Sequence, residues 1–131
     1  MAWLYINSAL PDASDVGIIS STSQRLKRVE GRSHHILNTI SQLKEVKQKQ
    51  IEGVCVVFGP GSFSSIRTGV LIANMFARTE KIPLIGLHLD QATDLALIAK
   101  GLEANTYPKQ AYVKPEYDAE PNITVAKVKT T

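Results

Sequence analysis

Apolar and polar positions change period several times along the chain, and each change marks an element. Residues 2–7 (AWLYIN) and 15–20 (DVGIIS) are short runs of strand formers, and the Pro11-Asp12 pair between them is turn chemistry, so they predict neighbouring strands. Over residues 23–32, Leu26 and Val29 stand among charged side chains. That pattern predicts an edge strand, where charge discourages stray pairing. The period then lengthens: Ile36, Leu37, Ile40, Leu43 and Val46 recur at helical spacing within residues 33–51, with Ser33 as N-cap and Gly53 as stop. Residues 53–58 (GVCVVF) are apolar at both alternating positions, as a strand covered on both faces must be. After them come a helix over about 64–79, a second covered strand at 82–89 (IPLIGLHL), and a further helix beginning near Asp90. Beyond Ala104, Pro108, Pro115 and Pro121 alternate with Tyr107, Tyr112 and Tyr117, which predicts an extended tail wrapping the domain or a partner.

Three strands followed by alternating helices and strands predict an α/β fold with a mixed sheet and helices on its faces, the outline of a single ribonuclease-H-like lobe of the actin-like ATPase fold. Residues 1–104 form this domain and 105–131 the Pro/Tyr-containing extended tail. With 131 residues, 44% hydrophobic and 21% charged, one folded core is expected and disorder, collagen-like repeats and coiled coil are excluded. Fifteen Lys and Arg against twelve Asp and Glu leave +3, too small a surplus to select nucleic acid as a partner. Cys55 is the single cysteine, so no internal disulfide forms. The first residues lack a secretory signal pattern, and no apolar run approaches the roughly 20 residues that span a bilayer. The expected compartment is the cytoplasm, with no membrane association.

Residues 58–67 (FGPGSFSSIR) are the most specific segment. They join a covered strand to a helix N-terminus, where free backbone N–H groups favour an anion. One reading is a cradle for a phosphate or acidic group; the other, which the physics favours, is a tight turn capped by Ser62 or Ser64. The Lys-Ser/Thr ending of a P-loop is missing, so this is not a Walker A loop. Around the following helix, Ile66, Val70, Ala73 and Ala77 fall on one face and Thr68, Leu71, Ile72 and Met75 broadly opposite, with Arg67, Asn74 and Arg78 as a polar strip. One apolar face covers the sheet. The other must be buried by a second helix of this chain or by a partner. The remaining chemistry is sparse. His34 and His35 are adjacent and point about 100° apart on a helix, so they do not chelate one metal. His88 reads as a structural histidine and Cys55 as an inert core thiol. Ser62, Ser64 and Ser65 have no evident base. Asp12 and Asp15 are explained by turn chemistry, and Lys44, Lys47 and Lys49 by a solvated helix face. No metal ligand, cofactor or catalytic residue is expected.

The segment FGPGSFSSIRTG resembles the GPGSFTGLRIG signature of the TsaB family, also called YeaZ, of threonylcarbamoyladenosine biosynthesis. The likeness extends to His34, to IPLIGLHLDQATDLA and to AYVKPEYDAEPNIT, and so covers roughly residues 2–97 and 111–124. The resemblance implies an actin-like half-enzyme without catalysis of its own. Such a subunit pairs with a related TsaD-like transferase that modifies adenosine next to the anticodon, joined by a TsaE-like ATPase, and tRNA is met only through the complex. It implies partner contact through the first two helices, with Thr68, Leu71, Ile72 and Met75 at the interface and Gly59, Pro60, Gly61, Ser62, Phe63 and Arg67 forming the signature loop. Homodimers through the same surface also occur in the family. Three features depart from the pattern. Asn7-Ser8-Ala9 stands where members often carry Asp-x-Ser/Thr, which removes the carboxylate that actin-like enzymes use near metal and phosphate. Ser64-Ser65 replaces Thr-Gly. Only a few residues, 101–109, separate the third helix from the tail, so the second lobe of the family is expected to be absent. The expectation is a minimal non-catalytic scaffold subunit. The alternatives are a residual nucleotide-using or hydrolytic enzyme of this fold, and a self-associating adaptor unconnected with tRNA.

Overall fold

Strand β1 (Trp3–Asn7) is the spine of a five-stranded sheet of order β3-β2-β1-β4-β5 in the computed structural model, which describes residues 2–30 and 35–117. It pairs antiparallel with β2 (Ala13–Ile19), with Leu4 opposite Ile18, and parallel with β4 (Gly53–Gly59), with Leu4 opposite Val54. β2 pairs antiparallel with β3 (Gln24–Glu30), and β4 pairs parallel with β5 (Leu84–His88). The parallel steps need crossover helices. α1 (His35–Ser41) and α2 (Lys44–Lys47) lie between β3 and β4, and α3 (Phe63–Glu80) joins β4 to β5.

Alternation along the inner strands separates two cores. Leu4, Ile6, Val54 and Val56 face one side and pack with Ile36, Ile40, Ile66, Val70 and Ala73. Trp3, Tyr5, Cys55 and Val57 face the other and pack with Ile98, Ala99 and Leu102 of α4 (Leu95–Glu103). The result is a mixed sheet between two helical layers. β3 is an edge strand, as its charges predict: only Val29 is buried, Arg28 pairs with Asp15 at 2.9 Å and Arg25 pairs with Glu45. Asp15 is therefore an ion-pair partner across the β2–β3 ladder, while Asp12 sits in the turn with φ 54°.

Two helices differ from their predicted spans. The single helix expected over 33–51 is α1 and α2, broken at Gln42-Leu43. The N–H groups of Gln42 and Leu43 donate only three residues back, to Thr39 and Ile40, while the Thr39 and Ser41 hydroxyls donate to the His35 and Asn38 carbonyls. Such side-chain bonds compete with the helix ladder, and the tightened turn ends it. Leu43 is then extended (φ −70°, ψ 134°), and Leu43 and Val46 reach the core across the break. Leu37, expected in the core, is 56% exposed. The Ser33 cap and His34 lie outside the described residues. The last helix begins at Leu95, not near Asp90. Residues Leu89–Gln91 form a 3-10 turn instead, closed by Asp90 N–H donating to His88 Nδ1 (3.1 Å) and His88 N–H donating to Gln91 Oε1 (2.8 Å). The cap of α4 is Asp94, whose Oδ1 accepts from the Ala96 and Leu97 N–H groups.

Tyr107 still packs on the α4-side core, and the chain then crosses to the α3 side of the sheet, where Val113 lies. Gln110 N–H donates to the Leu84 carbonyl (2.8 Å), and Val113 is buried against Gly86 and Phe58. Pro121 lies outside the described residues.

Candidate interaction face and glycine turn

Helix α3 sits close on the sheet because its inner face is small. Ile66, Gly69, Val70, Ala73 and Ala77 are buried, and a Cβ on Gly69 would collide with Ser8 Oγ at the end of β1. Close approach on one side leaves the opposite side prominent. Leu71 and Met75 are 54% and 59% exposed, whereas Thr68 is half-buried with its hydroxyl donating to the Ser64 carbonyl (3.0 Å). Ile72 also differs from the expected outer residue: it is half-buried and packs, with Phe76, on the core. Between α1 and α3 lies an apolar groove of about 200 Å³, lined by Leu37, Ile72, Met75, Phe76, Thr79 and Glu80. The sequence did not separate Leu37 from the core set, because a helix of seven residues has too few turns for periodicity to decide which apolar residue turns outward.

The strand-to-helix turn after β4 requires its first glycine. Gly59 has φ 128°, a conformation side chains rarely adopt, and a Cβ there would strike the carbonyl oxygen of Glu116. The Gly59–Pro60 peptide is cis. Ser62 stands at the N-cap of α3 in extended conformation, and its carbonyl accepts from Ile66 N–H (3.0 Å). Its side chain makes no capping hydrogen bond, contrary to the expected role, so the turn is shaped by its backbone. The guanidinium of Arg67 lies 5.2 Å from the centre of the Phe63 ring.

The tail lies against this turn. Glu116 N–H donates to the Phe58 carbonyl (2.8 Å), Tyr117 bridges Gly61 in parallel, and the Tyr117 and Phe63 rings are 4.7 Å apart. Asn74, read from sequence as part of a polar strip, secures the tail. Its Oδ1 accepts from Val113 N–H and its Nδ2 donates to the Val113 carbonyl, both at 2.9 Å, and Nδ2 also donates to the Val70 carbonyl. One amide thus takes the place of a strand partner. The loop is a tight turn with residues of the same chain packed on its outer side.

The other candidate groups fall into structural places. Burial pushes the Cys55 thiol up to about 12, so it stays protonated and inert. Burial also raises the Tyr5 phenol, with Cys55 adding to the shift and a hydrogen bond from Asn7 opposing it. Asn7 is buried at the carboxyl end of β1, its Oδ1 accepting from Ala9 N–H (3.0 Å). His88 meets Phe58 edge-on at 5.9 Å, and its Nε2 is 3.4 Å from Glu116 Oε2. Among the described residues no group of three or more His, Cys, Asp or Glu could hold a metal, and no helix is long and apolar enough to cross a membrane.

Strand order, two helical layers and a glycine turn feeding the helix on β1 define a lobe of the actin-like, ribonuclease-H-like class. Solved structures share it, two of them as follows. One, an uncharacterized protein with similarity to peptidase YeaZ from Pseudomonas aeruginosa, is 13% identical with a TM-score of 0.58, over 66% of this chain and 43% of that one. The other, YeaZ from Pseudomonas aeruginosa, is 12% identical with a TM-score of 0.55, over 67% of this chain and 45% of that one. This chain therefore matches less than half the length of either. The chain belongs to the TsaD family, described as tRNA N6-adenosine threonylcarbamoyltransferase, whose family model matches residues 30–113. With the YeaZ fold, this makes it TsaB/YeaZ-like at low sequence identity. No curated protein matches it.

Proposed function

We propose that the chain takes part in tRNA threonylcarbamoyladenosine biosynthesis as a non-catalytic cytoplasmic subunit that docks on a TsaD-like transferase. The observation that carries this reading is the outer face of α3. Leu71 and Met75 are exposed over more than half their surface, and Met75 continues into the apolar groove reaching Leu37 of α1. Contiguous exposed apolar surface of this kind marks interaction sites. The family match supports the link to tRNA threonylcarbamoyladenosine biosynthesis, and the TsaD-like partner is taken from the resemblance of the signature segment. Asn7 at the end of β1, in place of the carboxylate that the resemblance leads one to expect, supports a role without catalysis. A TsaE-like ATPase and tRNA would be met through the complex.

The test is size-exclusion chromatography with light scattering, on the chain alone and mixed with the TsaD-like protein from the same source. A discrete mixed complex, lost in Leu71→Asp, is the expected result, because a charge in a desolvated interface is unfavourable by on the order of several kcal/mol. A chain that pairs only with itself sinks the heterodimer reading. Calorimetric titration with ATP and magnesium separates the enzyme alternative, for which the isolated chain would bind.

A further inference from the structure

Residues 110–117 cross the sheet edge, run beside α3 and cover the turn that starts it. Attachments along their length include Gln110 to Leu84, Val113 to Asn74, Glu116 to Phe58, the bridge of Tyr117 to Gly61, and the Tyr117 ring against Phe63. Within residues 105–117 the only buried one is Val113. A segment with one buried side chain and mostly exposed neighbours has the makings of a unit that opens without the rest of the fold. The covered surface is specific. A Cβ on Gly59 would overlap the Glu116 carbonyl, so the tail packs directly on the backbone of the turn with no room between them. The latch residue Asn74 precedes Met75 on α3, so strap and outer face are joined through one helix.

We infer that residues 110–117 are a strap, latched by Asn74, whose local opening uncovers the Gly59–Phe63 turn. In the closed state the two Asn74 bonds fix both polar groups of Val113, and Val113 fills the space beside Gly86. Removing the latch shifts the equilibrium toward the open strap while both cores of the sheet remain packed.

The experiment uses the full chain and two readouts, amide hydrogen exchange and chymotrypsin cleavage at Tyr112-Val113, whose tyrosine is 64% exposed. In the unmodified protein the Val113 and Glu116 amides should exchange well before the Val56 amide of β4. Asn74→Ala should speed exchange at Val113 and Glu116, and cleavage after Tyr112, by roughly tenfold or more, with Val56 unchanged. If Asn74→Ala unfolds the whole chain, Tyr117→Ala serves instead: it removes the contacts of this ring with Phe63 and with the edge of the α3-side core, leaves the Asn74 latch in place, and should speed Glu116 exchange more than Val113 exchange. Exchange of Val113 and Glu116 in step with Val56, in the unmodified chain, would show that the strap opens only with global unfolding and would overturn the inference. So would variants that leave exchange and cleavage as they were.

Discussion

Single backbone positions decide how closely the parts of this chain approach. Gly59 combines a positive φ of 128° with the Glu116 carbonyl at the place of a missing Cβ. Gly59→Ala should therefore lower stability by about 2 kcal/mol or more in urea titration, since strain and collision add. Gly69 presents a different case, because its backbone is helical and the Ser8 side chain, Oγ and Cβ together, forbids a side chain there. Gly69→Ala should cost about 1–3 kcal/mol by overpacking, and Ser8→Gly should recover most of that loss in the double variant. Denaturation of the two singles and the double measures the coupling directly. The sequence shows both glycines, but only Gly59 stands in a recognisable turn motif. Asn74 was harder still: among Arg67 and Arg78 it reads as solvent-facing, and the strand-like pair it makes with Val113 joins residues 39 apart in sequence. No local pattern carries that contact.

Elements whose residues keep one pattern along their whole length are legible in the sequence, and breaks or caps set by side-chain bonds to the backbone are not. The covered strands β4 and β5, the charged edge β3 and the inner face of α3 follow from periodicity, because each is buried on a fixed set of positions. The break between α1 and α2 was not legible: it contains neither Gly nor Pro, and it depends on Thr39 and Ser41 hydroxyls bonding the backbone. The start of α4 was missed for a related reason, since Asp90 and Asp94 are equally plausible caps and His88 closes a separate turn around Asp90. On α3 the two faces separate cleanly enough to predict opposite outcomes. Leu71→Asp and Met75→Asp replace exposed side chains and should change stability by no more than about 0.5 kcal/mol. Ile66→Ala, at a fully buried position, should cost about 2–5 kcal/mol. Ile72→Asp should fall between these limits, because Ile72 is half-buried and packs on the core. Thermal melts of the four variants would check the division; a large loss in Leu71→Asp would move that residue into the core set.

At the scale of the whole molecule, two buried acids in the α4-side core set a stability limit at high pH. Desolvation raises Cys55 to about 12 and raises the Tyr5 phenol as well, where Cys55 adds to the rise. Both are held neutral by the fold, whereas in the unfolded chain they ionise near about 8.5 and about 10. The unfolded state therefore releases protons first as pH rises, and each such group lowers stability by up to about 1.4 kcal/mol per pH unit within its window. Their contribution is complete below the ordinary thiol range and is lost as pH climbs through the raised values. On the acid side the sign reverses. The Ser21 N–H holds the Glu103 carboxyl below its usual range, and that support is present above the usual carboxylate pKa and lost as pH falls through the lowered one. Glu103 is only half-buried and owes its shift chiefly to the hydrogen bonds from Ser21, so the acid limb should be the shallower of the two. Urea midpoints measured between about pH 7 and about pH 11 should fall steeply above about pH 9. Cys55→Ala leaves a small cavity and lowers stability throughout, yet it should flatten the alkaline slope, since the titrating thiol is gone. An unchanged slope would mean that the thiolate is accommodated in the folded core, and the decline would then fall to Tyr5, beginning about one pH unit or more higher.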